Sequence, residues 1–247
     1  MPRFKLTIEY DGTPFVGWQR QDNGLSVQAA LEAAVFGYCQ VEGVVQGAGR
    51  TDAGVHATGQ VAHVDLPRDD QPEVVAKAFN AHLRPHPIVV LKAEKVSDDF
   101  HARFSAIERG YVYRIVNRRA PAVLEINRAL WVSAPLDAAS MHEGAQHLVG
   151  RHDFSSFRAG VCQADSPVRT LDEISVARDG DLILVRARAR SFLHHQMRNI
   201  VGTLRLVGEG KWSTGDVKRV LEARDRALAG PTAVPEGLYL THVRYPD

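Results

Sequence analysis

Residues 44–66, VVQGAGRTDAGVHATGQVAHVDL, set a glycine-rich loop between two apolar stretches, and the fold can be read outward from it. The flanks, roughly Val44–Gly47 and Gln60–Leu66, have the composition of strands leading into and out of the loop. Upstream, RFKLTIEY places Phe4, Leu6, Ile8 and Tyr10 at period two, a half-buried strand ending at Asp11-Gly12. From Ser26, an N-cap residue type, Val27, Ala30, Leu31, Ala34, Val35 and Tyr38 fall on one helical face. Downstream, a helix is expected after Pro72 (EVVAKAFNAHL), and IVVLKAEKV returns as a strand. The first hundred residues therefore read β-α-β-loop-β-α-β.

The remainder has a related cadence. IERGYVYRIVN is a strand carrying Tyr111, Tyr113 and Ile115 on one face, and a helix follows near Ala138–Val149. LDEISVAR and DLILVRARA flank Asp179-Gly180, a strong hairpin signal. A long apolar helix is expected from Ser191 (SFLHHQMRNIVGTLRLVG), a short one near Thr214–Arg224, and LYLTHVRY closes as a strand. Arg118–Arg128 is the longest apparent insertion. This order predicts an α+β protein of two ferredoxin-like subdomains, with antiparallel mixed sheets flanked by helices and a central cleft. The expected division is 1–104, carrying the glycine loop, and 105–247, Arg-rich.

Composition narrows the class. The chain has 247 residues, 45% hydrophobic and 24% charged, as expected of a soluble globular protein. No apolar run approaches the ~20 residues that cross a bilayer, and MPRFKLTIEYDG has no apolar signal region. Cys39 and Cys162 form no CxxC pair, which argues against a disulfide framework and for the cytoplasm. Net charge is only +1, but the first 104 residues balance at −3 and the rest at +4. Arginine supplies 24 of the 30 basic residues, 18 of them in the second half. Guanidinium groups suit phosphate and bases, although a codon bias toward Arg gives the same count.

The loop itself is open to three readings. Gly49–Gly54 has the GxxxxG spacing of a phosphate-binding loop, but Val55-His56 stand where lysine and Ser/Thr are required. GxGxxG fails too, because Asp52 occupies the third glycine position and would repel a pyrophosphate. An Asx-turn would account for Asp52 alone, but not for Arg50, Thr51 and His56 beside it. An arginine near a carboxylate favours its ionised form, as a nucleophile requires, and small flanking residues let a planar ligand approach. No metal is expected: His194 and His195 are adjacent and cannot share a helix face, no HxxxH occurs, and His56 and His63 read as polar or RNA-facing.

YDGTPFVGWQRQ (10–21), SVQAALE (26–32), GAGRTDAGVHATGQVAH (47–63), FHARFSAIERGYVYRI (100–115), HDFSSFR (152–158), SFLHHQMRNIVGTL (191–204) and EGLYLTHVRYP (236–246) together resemble, in order, the motifs of the tRNA pseudouridine synthase A family. The resemblance implies a two-domain, cofactor-free homodimeric isomerase. It would turn uridine into pseudouridine at positions 38–40 of the tRNA anticodon stem-loop. It also implies roles: Asp52 as the catalytic nucleophile, Arg50 contacting RNA and holding the target nucleotide out of the helix, Tyr111 packing against the uracil, and Arg198 pairing with the catalytic carboxylate. Where the family commonly has Met-Val before that arginine, this chain has Gln196-Met197, with Arg198 still in register.

The residues agree with that chemistry. Isomerisation gains and loses no atom, so it needs no redox cofactor or energy donor. It needs a carboxylate and a target taken out of the base stack. Arg198, read as an interior position of an apolar helix, calls for a carboxylate partner. Arg186, Arg188 and Arg190 alternate on one strand face, either as a rail for tRNA phosphates or as a solvated outer face. The competing class is a tRNA-binding or chaperone module that has lost the chemistry; such a module would tolerate loss of Asp52.

Overall fold

The computed structural model describes residues 1–246 except Val161 and Gln163. The chain separates into two compact units, Met1–Ile107 with Tyr239–Asp247, and Glu108–Leu238. The last strand, expected within a domain spanning 105–247, falls in the first unit instead.

The first unit opens with β1 (Arg3–Tyr10), α1 (Val27–Cys39), β2 (Gln46–Gly47), β3 (His56–Asp65), α2 (Pro72–His82) and β4 (Ile88–Val96). The period-two pattern of β1 buries Phe4, Leu6 and Ile8 completely, and the strand pairs antiparallel with β3 on one side and β4 on the other. The Ser26 hydroxyl accepts the Ala29 N–H at 3.1 Å, capping α1 as its residue type predicts. The helix buries Val27, Ala30, Leu31, Ala34 and Val35. Pro72 starts α2, which buries Val75 and Phe79. With β2 on the far side of β3, the order β4-β1-β3-β2 and its two helices make a ferredoxin-like unit.

Two expectations change here. The strand after the glycine loop starts at His56 and not at Gln60. His56 and His63 are not RNA-facing: both are 3% exposed. Each ring Nδ1 accepts a main-chain N–H, from Gly12 at 3.0 Å for His56 and from Ala102 at 3.1 Å for His63. These bonds satisfy the buried imidazoles. Burial, with His101 and Arg3 nearby, pushes His63 down to about 4, so it is neutral at neutral pH.

The second unit contains β5 (Glu108–Asn117), β6 (Leu130–Val132), α3 (Ala138–Gln146), β7 (Gly150–Asp153), β8 (Val168–Asp179), β9 (Leu182–Ala189), α4 (Gln196–Gly208) and α5 (Thr214–Ala223). Its strands run β5-β9-β8-β7, antiparallel throughout, with β6 parallel to β5. The order β5-β9-β8 repeats β1-β3-β2 of the first unit, which supports two diverged copies of one motif. The Asp137 carboxylate caps α3 by accepting the N–H groups of Ala139 and Ser140. Ser213 and Asp216 form a reciprocal capping box on α5.

Helix α4 begins at Gln196, five residues later than Ser191. His195 takes the left-handed conformation, φ 61°. The Gln196 side-chain oxygen, almost fully buried, accepts the Leu193 N–H at 2.8 Å and fixes a turn there. The final strand, β10 (Leu238–Arg244), belongs from Tyr239 onward to the first unit, where Tyr239 and Leu240 pair in parallel with His56 and Ala57 of β3. Together with the Tyr10–Ala57 pairing to β1, this distant partner carries β3 back to His56, a position its local pattern does not mark.

Helix α4 is buried on nearly every side, because residues 229–233 cross it at Gly202. A Cβ on Gly202 would lie 1.6 Å from the Pro231 carbonyl oxygen, and the Gly230 N–H donates to the Thr203 hydroxyl at 3.0 Å. Gly202→Ala should therefore destabilise the protein by about 3 kcal/mol through overpacking, measured as a lower urea midpoint. A wild-type midpoint would contradict so close a crossing.

Candidate active site

Asp52 lies in a turn closed by main-chain groups. The Val55 N–H donates to the Asp52 carbonyl at 3.1 Å, and the Trp18 N–H donates to the Thr51 carbonyl at 3.0 Å. Gly17 and Asp52 form an isolated antiparallel bridge. The bridge depends on glycine: Gly17 has φ +113°, and a Cβ there would stand 2.7 Å from the Thr51 carbonyl oxygen. YDGTPFVGWQRQ and GAGRTDAGVHA are thus two sides of one local structure. Because main-chain bonds close the turn, an Asx-turn is not needed to explain Asp52.

Beneath the turn runs a buried polar chain. The Tyr10 hydroxyl and Thr51 Oγ1 are hydrogen-bonded at 2.8 Å. Gln60, fully buried, donates from Nε2 to the Gly49 carbonyl at 2.8 Å. Thr51 is buried, whereas Asp52 is half-buried and Arg50 exposed. The loop therefore turns its anchor inward and its arginine outward. Burial raises the Tyr10 hydroxyl to about 12, opposed in part by its bonds to Thr51 and Gln60. On the outer side of β3, His56 stacks on Tyr239, ring centroids 4.6 Å apart.

In the second unit the structure separates Tyr111 from Tyr113, which core packing alone would treat alike. Tyr113 is completely buried and its hydroxyl donates to the Val234 carbonyl at 2.7 Å. Tyr111 is half-buried, opposite Ala187 on β9, and meets Phe192 edge to face at 5.0 Å. A half-buried ring held edge to face suits stacking on a planar ligand.

Arg198 stands in the first turn of α4 and not in the helix interior, and it is half-buried. Its Nε donates to the Ala233 carbonyl at 2.7 Å, while the Ala233 N–H donates to the Arg198 carbonyl at 3.1 Å. This clamp fixes the direction of the side chain. A cation at a helix N-terminus is opposed by the helix dipole, so its position serves a need other than helix stability. The next residue, Asn199, is fully buried. Its Nδ2 donates to the Phe157 carbonyl at 2.8 Å, and its Oδ1 accepts from the Thr232 hydroxyl at 2.7 Å and from Arg226 at 3.1 Å. Burial lowers the Arg226 pKa. HDFSSFR, HHQMRN and the segment at 229–233 are therefore tied together through one amide.

The chain thus places Asp52 and Arg50 in one unit, Tyr111 and Arg198 in the other. Thr51 stands out in sequence as a member of the glycine loop, whereas Tyr10 and Gln60 look like ordinary strand residues and Asn199 is marked only as an uncharged polar residue inside an apolar run. Of the alternating arginines, Arg188 is bound by Glu108 at 2.7 Å and Glu173 at 2.6 Å, so the three do not form an even rail.

A protein-family model described as tRNA pseudouridine synthase matches residues 6–105 and 145–246. The chain is 62% identical over 245 residues to the tRNA pseudouridine synthase A of Paramagnetospirillum magneticum, covering 99% of this chain and 96% of that one. It is 61% identical over 246 residues to its counterpart from Rhodospirillum rubrum, covering 100% and 88%. Among solved structures, a Cbf5-Nop10-Gar1 complex aligns with TM-score 0.39 and 13% identity, over 96% of this chain and 49% of that one.

Tyr10→Phe should cost about 1–2 kcal/mol by leaving Thr51 and Gln60 short of a partner. The raised phenol makes the wild-type advantage pH-dependent: present below pH 10, where both states hold the proton, and lost as pH rises toward about 12. Urea titrations at about pH 9 and 11 should show the gap shrinking by roughly 1 kcal/mol; a constant gap would contradict the raised value.

Proposed function

The chain belongs to the tRNA pseudouridine synthase family, and on that premise we propose that it converts uridine to pseudouridine at positions 38, 39 and 40 of the tRNA anticodon stem-loop, with Asp52 as the catalytic carboxylate. The enzyme is an isomerase that forms pseudouridine in tRNA. In the reaction the N1–C1′ bond breaks, a C5–C1′ bond forms, the C5 proton departs and N1 regains a proton. Asp52 drives it by adding to C6 of the uracil, by adding to C1′, or by taking the ribose 2′ proton. Each route needs an ionised oxygen held at the glycosidic bond of an everted nucleotide.

The observation that carries this reading is the immobilised main chain at Asp52, held from Thr51, Gly17 and Val55. Holding a reacting group in place before the substrate arrives removes much of the entropic cost of the encounter. Arg50, exposed two residues away, is suited to occupy the space the uridine leaves. Tyr111 packs against the uracil. Arg198 is the cation that pairs with the catalytic carboxylate, the role the resemblance to the family implies. The enzyme works in the cytoplasm as a homodimer, a state supported by Val123, Leu124 and Ile126, which expose apolar surface between β5 and β6.

Asp52→Ala should lower pseudouridine formation in unmodified tRNA by about a thousandfold or more. Because the turn is held by main-chain groups, the variant should keep its unfolding midpoint and its affinity for tRNA. Mapped pseudouridine in the anticodon arm with the variant would refute the assignment, and its absence with the wild type would refute the activity. Arg198→Met should lower turnover at saturating tRNA by about a hundredfold with little change in tRNA affinity. Wild-type turnover in the variant would remove Arg198 from that role.

A further inference from the structure

The second unit carries a basic cavity of about 300 Å³ lined by Arg151, Arg169 and Arg190 with Ser166, Val168, Thr170 and Ser191. The sheet register builds it. Arg151 on β7 faces Thr170 on β8, and Leu171 pairs with Ala189 on β9, which brings Arg190 alongside. Three guanidinium groups and three hydroxyls thus meet from β7, β8 and the residues that lead into β8 and out of β9. No carboxylate lines the cavity among the described residues.

The arginines are differently employed from their neighbour. Arg188 is neutralised by two glutamates, whereas the cavity offers its cations no such partner. Arg169 is the anchor: its Nη1 donates to the carbonyls of Ser166 at 2.9 Å and Val168 at 2.7 Å. Its Nε is buried with no acceptor among the described residues. A buried donor left unsatisfied costs about 1–3 kcal/mol, a cost that an anionic ligand in the cavity would offset. Two further guanidinium forks and hydroxyl donors match the oxygens of a phosphate group.

We propose that this cavity binds a phosphodiester of the tRNA backbone, away from the nucleotide undergoing reaction. The proposal rests on tRNA being the substrate and adds a specific contact to it. It replaces the even rail of Arg186, Arg188 and Arg190 with a cluster in which only Arg190 is retained. A phosphate held there sets the register of the RNA and carries no base information.

The test is the double variant Arg151→Ala/Arg190→Ala, which leaves the anchoring Arg169 in place. Affinity for an unmodified tRNA transcript is measured between about 50 and 200 mM salt, with turnover measured at saturating tRNA. The proposal expects about tenfold weaker binding at the low-salt end and a plot of log K against log salt flatter by about 0.7–0.9, the value for the one phosphate no longer neutralised. Turnover at saturation should be unchanged, and Arg151→Lys/Arg190→Lys should restore most of the slope. Unaltered affinity and slope would overturn the proposal, as would a loss of turnover with intact binding. Competition of tRNA by inorganic phosphate at the wild-type cavity, with no slope change in the variant, would assign the cavity to a free anion instead and overturn it too. A wild type that binds tRNA but makes no pseudouridine would refute the catalytic reading alone.

Discussion

The hydrogen bond between the buried Tyr10 hydroxyl and Thr51 is the constraint on which the candidate active site depends. Thr51 points into the unit, so Arg50 and Asp52 on either side of it are directed away from that anchor. Gln60 extends the chain by holding the Gly49 carbonyl, and Trp18 holds the carbonyl of Thr51 itself. A buried polar network of this kind stabilises only when its members are satisfied together, so it specifies one conformation. Glycine and alanine around the turn give it room, and the polar residues beneath it remove the freedom that room would otherwise bring.

The second unit solves a similar problem with different means. Its hub is the first turn of α4, where Arg198 exchanges two hydrogen bonds with Ala233 and Asn199 joins three separate segments. The helix is accordingly buried on nearly all sides, and the close crossing of residues 229–233 is accommodated by the missing side chain of Gly202. Rigid main chain around a few directed side chains is common to both units, and it is how a protein holds reacting groups in place before a substrate arrives.

Much of the architecture was legible in the residues because it is governed by local rules. The alternation of Phe4, Leu6 and Ile8, the Ser26 cap, Pro72 at a helix start and Asp179-Gly180 between two strands each act within a few residues. Errors arose where a distant group decides the outcome. β3 is extended by Tyr239 and Leu240, nearly two hundred residues away in the chain. His56 and His63 are buried because main-chain N–H groups from other segments meet their rings. The start of α4 is displaced by the left-handed His195 and the turn bonded to Gln196, where an apolar period suggests continuous helix. The glycine loop announced that chemistry was present, but its supporting residues, Tyr10 and Gln60, look in sequence like ordinary members of strands.

The return of β10 to the first unit has a consequence for the order of events during synthesis. Residues 108–238 leave the ribosome before the strand that completes the unit begun at the amino terminus, and domains commonly fold as they emerge. Until Tyr239 reaches His56, β3 has an unfilled edge beside the loop that carries Asp52. A nascent chain can therefore assemble its arginine-rich portion while the aspartate loop still lacks a flanking strand, so the first unit is completed only late in translation.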